Sequence, residues 1–221
     1  MPDATPVVVV VDDDVSVRES LELLIRCAGW QPETFASSQK FLARPRISVP
    51  SCLVLDVSLP GLNGLDVQRR VSAERPDMPI IFITGHGDVP MTVQAMKGGA
   101  VEFLTKPFGD DVLLSAIRQA IERSHAALDH EAQMGALRDC YVSLTARERE
   151  VMALVASGLL NKQVGGELGI SEITVKAHRG KMMRKMKADS LADLVKMAAR
   201  LRLAPAAPRN QPPSAHRPSA H

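Results

Sequence analysis

Short, continuous apolar runs alternate with helical patterns over the first half of the chain. The runs are VVVVV at 7–11, CLVLDV at 52–57 and IIFIT at 80–84. Runs without polar alternation are typical of strands that are covered on both faces, as in a parallel sheet flanked by helices. Weaker signals predict two more strands, near 32–35 and 101–105. We therefore expect five strands in an α/β doubly wound parallel sheet.

Helical spacing fills the segments between these strands. In the first segment, apolar residues from Val17 to Ala28 repeat at helical spacing and stop at Gly29, a residue type that favours the end of a helix. The same reasoning predicts four further helices, near 38–44, 64–74, 88–97 and 110–123.

The second half of the chain follows a different plan. From Ser143 onward the pattern is helical in short pieces, and residues 124–142 keep enough helical spacing to predict a partly helical linker. The final residues are rich in Pro, Ala and Ser, a composition that predicts disorder. We therefore expect one domain over 1–123, the linker over 124–142, a small all-α domain over 143–204 and a disordered tail over 205–221. The helices predicted in the second domain are 145–157, 161–168, 172–186 and 190–201.

Composition excludes several classes of protein. The chain has 221 residues, 45% of them hydrophobic, which is enough for buried cores in two small domains. No apolar run reaches the length of a membrane helix and the first residues lack a signal-peptide pattern, so we expect a soluble cytoplasmic protein without a membrane partner. The cysteines, Cys27, Cys52 and Cys140, lie far apart without a CxxC spacing, which favours neither a disulfide framework nor a zinc site.

Charge is distributed unevenly between the two halves. Residues 1–120 carry 11 Lys/Arg and 15 Asp/Glu, for a net charge of −4, whereas residues 121–221 carry 16 and 10, for a net charge of +6. The basic half is therefore the candidate for binding a polyanion.

Polar and charged side chains stand at the ends of four predicted strands. Three aspartates, at 12–14, follow the first strand, Asp56 lies in the third, Thr84 closes the fourth and Lys106 follows the fifth. Ligands bind at this edge of an open parallel sheet, so we expect these side chains to converge there. Carboxylate oxygens suit a hard cation such as Mg²⁺ better than zinc, and the cation would relieve the repulsion between them. Lysine and threonine beside that cation favour a phosphoryl group as the anion.

These residues lie in motifs that resemble the receiver domain of two-component response regulators. The motifs are VVDDD followed by VR, LDVSLPGLNG, ITGHG and FLTKPF, and the longer stretch GHGDVPMTVQAMKGGAVEFLTKPF is similar to the FixJ branch. The resemblance implies a flavodoxin-like domain that accepts a phosphoryl group from a sensor histidine kinase. It also implies a cis Lys106-Pro107 bond, and we expect a mobile loop at 85–87.

The receiver resemblance assigns a role to each residue. Asp56 is the phosphoacceptor; Asp13, Asp56 and the backbone carbonyl of Ser58 bind Mg²⁺, which Asp12 supports through water. Thr84 and Lys106 bind the phosphoryl oxygens. Phe103 is the switch residue, with a plain core role as the alternative. Asp14 is the expected cap of a helix beginning near Ser16, although a shift of one residue would exchange its role with that of Asp13.

A basic helix is predicted in the second domain. Residues 171–187 carry six Lys/Arg and one acid, and Ser171 is the expected N-cap. A short helix and a Gly-containing turn precede this helix, which is the plan of a helix-turn-helix whose second helix enters the DNA major groove. Charge alone favours the alternative of an ordinary solvated helix. The predicted core face is Val175, Met182 and Met186, and the predicted outer face is Thr174, Ala177, Lys181 and Arg184.

LTAREREV, GLLNKQV and ISEITVKAHR resemble the LuxR-type helix-turn-helix that follows receivers in the NarL/FixJ family. The resemblance implies binding to double-stranded promoter DNA and structural roles for Glu148 and Glu150. Gly165 and Gly166 depart from the family pattern, and we expect them to weaken their helix, because glycine in a helix interior is unfavourable. Together with the outer face, the resemblance predicts base contacts from Thr174, Lys176, Ala177 and Lys181 and phosphate contacts from His178, Arg179 and Arg184.

The sequence thus predicts a phosphorylation-switched transcriptional regulator that is not an enzyme. The family implies a homodimer in the phosphorylated state, and RNA polymerase is a further candidate partner. Two alternatives stay open. A Mg²⁺-dependent phosphohydrolase would use Asp56 as nucleophile, but Ser58 stands where the haloacid-dehalogenase pattern has a second Asp. The other alternative is a constitutive DNA-binding protein with a silent receiver. The presence of every expected site residue argues against it: Asp12, Asp13, Asp56, Thr84 and Lys106.

Overall fold

The structure, a computed structural model, describes residues 5–85 and 89–203. Most of the predicted 85–87 loop and the whole predicted tail at 205–221 lie outside these ranges. The chain divides into two compact units, Met1–Glu131 and Ala132–His221. Within the described residues, no helix is both long enough and apolar enough to cross a membrane.

The first unit contains a five-stranded, fully parallel sheet in the order β2-β1-β3-β4-β5. This arrangement confirms the predicted doubly wound fold. The strands are β1 Val7–Val11, β2 Gln31–Phe35, β3 Ser51–Asp56, β4 Ile80–Thr84 and β5 Glu102–Thr105.

Two hydrophobic cores, one on each face of the sheet, explain the continuous apolar runs. Val7, Val9 and Val11 belong to one buried cluster, whereas Val8 and Val10 belong to the other. Because successive side chains of a strand point to opposite faces, all five valines of β1 are buried.

Among the described residues of the first unit, five helices flank the sheet, and the last of them continues into the second unit. Asp14 caps the first of them, as predicted, by accepting a hydrogen bond from the Ser16 amide at 2.8 Å. Asn63 caps the third helix in the same way through the amides of Leu65 and Asp66. The helices are α1 Val15–Cys27, α2 Ser38–Leu42, α3 Gly64–Glu74, α4 Val89–Lys97 and α5 Asp110–Val142.

Helix α5 is one uninterrupted helix of 33 residues that includes all of the segment 124–142. Its middle is fixed to the first unit by polar contacts. The buried Ser124 hydroxyl accepts a hydrogen bond from the Ser51 amide at 2.9 Å and donates one to the Asp77 carbonyl at 2.6 Å. Nearby, Arg46 Nη2 lies 2.9 Å from the buried Asp77 carboxylate and 2.7 Å from Glu131 of α5.

The second unit is helical around its own core. Val151, Met152, Val164, Val175 and Met182 are among its fully buried side chains. Besides the end of α5, its helices are α6 Ala146–Ala156, α7 Asn161–Leu168, α8 Glu172–Met186 and α9 Leu191–Arg200.

The two glycines of α7 differ in their surroundings, which corrects the expectation that both weaken the helix. A Cβ on Gly165 would lie 2.7 Å from the backbone oxygen of Ile170, whose amide hydrogen-bonds to the Gly165 carbonyl at 3.0 Å. Gly165 is therefore required by the close turn between α7 and α8. A Cβ on Gly166 would meet no atom within 4 Å, so only Gly166 fits the predicted helix-weakening role.

Candidate phosphoacceptor site and nucleic-acid interface

Three carboxylates converge at the carboxyl ends of two adjacent strands. Asp12 directly follows β1 and Asp56 ends β3, and the parallel pairing of Val11 with Leu55 places these two residues side by side. Oxygens of Asp12, Asp13 and Asp56 lie within 4.8 Å of one another. Asp12 and Asp56 are buried, whereas Asp13 is exposed.

Lys106 joins the two buried carboxylates. Its Nζ donates hydrogen bonds to Asp12 Oδ2 at 2.7 Å and to Asp56 Oδ2 at 2.9 Å. The lysine follows β5, and the Lys106-Pro107 bond is cis. Thr84, at the end of the intervening strand β4, is fully buried. The structure therefore brings both predicted phosphoryl-binding residues to the carboxyl edge of the sheet.

Burial and charge oppose each other in this cluster. Burial raises the pKa of Asp12 above its ordinary value, although the hydrogen bond and positive charge of Lys106 act in the opposite direction. Burial also lowers the pKa of Lys106, but the hydrogen bonds and charges of the two carboxylates outweigh it, so the pKa is raised. The lysine is thus held in its charged form.

The remaining carboxylate oxygens are oriented by the backbone. Asp12 Oδ1 accepts a hydrogen bond from the Asp14 amide, and Asp56 Oδ1 accepts one from the Ser58 amide, both at 2.8 Å. These bonds fix each side chain with one oxygen toward Lys106 and the other toward its own loop.

Helix α8 presents the predicted basic surface of the second unit. Val175, Met182 and Met186 are buried, as predicted for its core face. The residues predicted to contact DNA are exposed or half-buried; the exposed ones are Lys176, Ala177, Lys181 and Arg184, and the half-buried ones are Thr174, His178 and Arg179.

Several of these side chains have local partners. The Thr174 and Ser171 hydroxyls lie 2.8 Å apart, and Lys176 forms an ion pair with Glu172 at 3.1 Å. Arg179 Nη1 donates a hydrogen bond to Asn161 Oδ1, at the start of α7, at 3.0 Å. The helix that precedes the turn therefore helps to orient Arg179 on α8.

Comparison with known proteins identifies both units. Residues 8–118 match the model of the response regulator receiver domain, and residues 142–198 match that of bacterial regulatory proteins of the luxR family. Nodulation protein W of Bradyrhizobium diazoefficiens is 51% identical over 195 residues, covering 88% of this chain and 86% of the relative. FixJ of the same organism is 43% identical, covering 86% of this chain and 93% of the relative.

A solved structure gives the same result. The response regulator StyR superposes with a TM-score of 0.79 at 47% identity, covering 89% of this chain and 99% of that one. The chain belongs to the NarL/FixJ family of response regulators. This regulator therefore couples phosphorylation to the control of transcription, through a receiver domain and a LuxR-type helix-turn-helix.

The donor set of the regulator fits Mg²⁺. Three carboxylates lie within reach of one ion, their ligand atoms are all oxygen, and the exposed Asp13 leaves access from solvent. Asp12, Asp13 and Asp56 are the residues that would hold the ion.

Phe103 occupies a position compatible with either of its predicted roles. It is half-buried on β5 and packs against the core, with its ring centroid 6.1 Å from that of Phe82. Its role as a switch stays a prediction.

Two residues at the acidic site were not predicted from the sequence. Arg18 donates a hydrogen bond from Nη1 to the backbone carbonyl of Asp12 at 2.8 Å. A Cβ on Gly64 would lie 2.9 Å from Val57 Cα and 3.1 Å from the Asp56 carbonyl oxygen. Gly64 therefore lets α3 begin against the backbone that carries the phosphoacceptor candidate. Arg18 lies in the VR motif and Gly64 ends the LPGLNG motif, so these two motifs could have indicated both residues from the sequence.

Lys185 was also missed, because its sequence position resembles that of the other cations of α8. Its Nζ lies 2.6 Å from Glu148 Oε2 and 3.2 Å from the Ser143 carbonyl. Glu148 is buried and forms a capping box with Thr145 at the start of α6. Hydrogen bonds from Lys185 and from the Thr145 backbone lower the pKa of Glu148. Glu148 thus has the structural role predicted for it.

Proposed function

We propose that Asp56 accepts a phosphoryl group from a sensor histidine kinase in the presence of Mg²⁺ and that this modification controls binding of the LuxR-type domain to promoter DNA. The contact of one Lys106 ammonium with both Asp12 and Asp56 is the observation that carries the proposal. It supplies a fixed positive charge beside the carboxylate that must attack.

The chemistry follows from the positions of these charges. A carboxylate oxygen of Asp56 attacks phosphorus, the phosphorus–nitrogen bond of the phosphohistidine breaks, and its electron pair stays on the imidazole nitrogen. The Lys106 ammonium stabilises negative charge on the phosphoryl oxygens, and the Thr84 hydroxyl is the second ligand for them. Asp13, Asp56 and the Ser58 backbone carbonyl would hold Mg²⁺, with Asp12 supporting it through water, and the ion would supply further charge neutralisation.

Phosphorylation changes the charge of the site from within. The acyl phosphate carries about −1.5 to −2 charges in place of the single negative charge of the Asp56 carboxylate, at an edge where burial raises the pKa of the neighbouring Asp12. Movement of Thr84 toward this group gives Phe103 space to turn inward, which changes the surface near α4 and β5. That change promotes a homodimer that presents two α8 helices to successive half-sites.

The DNA contacts follow the exposed surface of α8. Thr174, Lys176, Ala177 and Lys181 approach base edges, and His178, Arg179 and Arg184 meet phosphates. We propose RNA polymerase as a further partner at the promoter. A DNA target supports a cytoplasmic location for the regulator. The chemistry is confined to Asp56 of the same chain, so the regulator is not an enzyme. We propose functional boundaries at 1–123 for the receiver and 143–204 for the DNA-binding domain.

Intact mass spectrometry tests the proposal. The full chain is incubated with acetyl phosphate, with and without Mg²⁺, and the same samples are then tested for DNA binding. We expect one Mg²⁺-dependent phosphoryl adduct that is absent from Asp56→Asn and is accompanied by tighter binding. Asp66→Asn, which changes a half-buried aspartate in the first turn of α3, is the matched control and should be modified like the wild type.

Other outcomes separate the alternatives. Sustained release of phosphate from an ester substrate would favour the phosphohydrolase. DNA affinity that is equal with and without the adduct would favour a constitutive DNA-binding protein. An adduct of the same size on Asp56→Asn would contradict the assignment of the phosphoacceptor.

A further inference from the structure

The face of α8 that points away from the core is uncharged over most of its length. At about 100° per residue, Val175, Met182 and Met186 define one side of the helix and are buried. The opposite side, within an arc of about 60°, is formed by Ile173, Ala177, Gly180 and Arg184. We call the first three of these residues the apolar strip.

Ile173 is the most exposed large apolar side chain in the part of the chain that the structure describes. It is 80% exposed and lies in the first turn of α8. A single exposed apolar residue is ordinary on a protein surface. Here, however, it shares one face with an exposed Ala177 one turn later, on the helix proposed to bind DNA.

Gly180 has no structural explanation in the domain itself. A Cβ at this position would meet no atom within 4 Å, and its φ is not left-handed. Glycine destabilises a helix interior relative to alanine, so the fold gains nothing from it. Its absent side chain instead lets the middle of α8 approach another molecule closely.

Cations flank the strip on both sides. Lys176 is exposed on one side and Lys181 on the other, and Arg184 follows at its end. This distribution complements a major groove, in which phosphates line the two edges and base edges lie between them. The exposed apolar feature of those base edges is the C5-methyl group of thymine.

We propose that Ile173 and Ala177 recognise thymine methyl groups in the major groove and that Gly180 permits the close approach this contact requires. This inference rests on the proposed DNA-binding function of α8. It adds two residues, Ile173 and Gly180, to the predicted reading set and assigns that set a preference for thymine.

Uracil substitution isolates the methyl group as the ligand. A duplex is selected from a random library by phosphorylated wild-type protein, and each thymine is then replaced singly by deoxyuridine, which lacks only the methyl. Fluorescence anisotropy should show about fourfold weaker binding at one or more thymines of each half-site, as expected for the loss of one buried methyl-sized contact. Ile173→Ala should bind the unsubstituted duplex more weakly and should lose the sensitivity to uracil at the thymine that Ile173 contacts, while the sensitivity at the thymine of Ala177 remains.

Two matched pairs of variants separate recognition from folding. Val142→Ala, which truncates another exposed apolar side chain, should keep wild-type affinity and wild-type uracil sensitivity. Gly180→Ala and Gly166→Ala both place a methyl in open space on a helix and should both raise the thermal midpoint. Only Gly180→Ala should weaken DNA binding.

The outcomes distinguish this inference from the function on which it rests. If no sequence is enriched by the phosphorylated protein, the proposed DNA-binding function fails and the inference fails with it. The other case is that a sequence is enriched while uracil changes the DNA affinity of Ile173→Ala and of the wild type equally, or changes neither affinity. Recognition of thymine methyls by Ile173 would then be overturned, whereas the proposed DNA-binding function would stand.

Discussion

The Lys106 ammonium lies 2.9 Å from the Asp56 carboxylate and forms a second, 2.7 Å hydrogen bond with Asp12. Lys106→Met removes the cation between two buried carboxylates. We expect a loss of about 1.5–3 kcal/mol in the free energy of unfolding, the usual range for hydrogen bonds to charged groups. Mg²⁺ should stabilise the variant more than the wild type, because the lysine no longer repels the ion.

Urea unfolding with and without Mg²⁺ measures both effects. Lys40→Met, which removes an exposed lysine of α2, is the control and should unfold like the wild type. Equal stability of Lys106→Met and wild type in the absence of Mg²⁺ would contradict the role of Lys106 in balancing the carboxylates.

The two adjacent glycines of α7 should respond to alanine with opposite signs. Gly166→Ala should stabilise the protein by about 0.8–1.0 kcal/mol, the intrinsic difference in helix propensity. Gly165→Ala should destabilise it, because the added Cβ would lie 2.7 Å from the Ile170 backbone oxygen. Thermal unfolding of both variants provides the measurement, and stabilisation by Gly165→Ala would show that the turn has room for a side chain.

Stability should depend on pH through Glu148. The pKa of Glu148 is lowered in the folded protein. The contribution of Glu148 to the free energy of unfolding is therefore fully present at pH values above 4.5, the ordinary pKa, and is lost as the pH falls through the lowered pKa. Glu148→Gln should therefore be less stable than the wild type at pH 7, by about 1.5–3 kcal/mol, the usual range for a lost hydrogen bond between charged groups.

Urea unfolding at several pH values follows this difference. The difference in the free energy of unfolding between wild type and Glu148→Gln should become smaller as the pH is lowered below 4.5, the ordinary pKa of glutamate. Glu150→Gln, at an exposed ion pair with Arg147, is the matched control and should show almost no gap. A gap that stays constant with pH would exclude titration of Glu148 as its cause.

Much of the fold could be predicted because it depends on local pattern and simple topology. The five valines of β1 indicated a strand buried on both faces, and both faces are indeed covered. The convergence of Asp12, Asp56 and Lys106 followed from parallel strands alone, since their carboxyl ends meet at one edge.

Other features depend on contacts between residues that are distant in sequence. The Lys185–Glu148 pair joins residues 37 positions apart, and a basic residue of α8 gives no sign that its partner lies on α6. The need for Gly165 comes from a carbonyl beyond the end of its own helix. The segment 124–142 has mixed composition, yet α5 continues through it without a break.

Arg46 should contribute more through Asp77 than through Glu131. Asp77 is buried and Glu131 is largely exposed, although both carboxylates lie within 3 Å of the same Nη2. Arg46→Ala should therefore cost about 1–3 kcal/mol, because it removes the ion-pair partner of a buried carboxylate. Glu131→Gln should cost only about 0.2–1 kcal/mol, as is usual for exposed ion pairs. Chemical denaturation measures the free energy of unfolding of both variants. Equal losses in this free energy would show that the burial of Asp77 does not determine the contribution of Arg46.

The Lys185–Glu148 contact also has a consequence for how salt affects DNA binding. A protein releases condensed counterions from DNA in proportion to the phosphates that it neutralises, and this number sets the slope of affinity against salt concentration. Residues 171–187 contain six Lys/Arg, but Lys185 already has a buried carboxylate as its counterion. Binding of each α8 helix therefore releases about one counterion fewer from the DNA than the number of its Lys/Arg residues suggests. The DNA affinity should accordingly fall less steeply as the salt concentration rises.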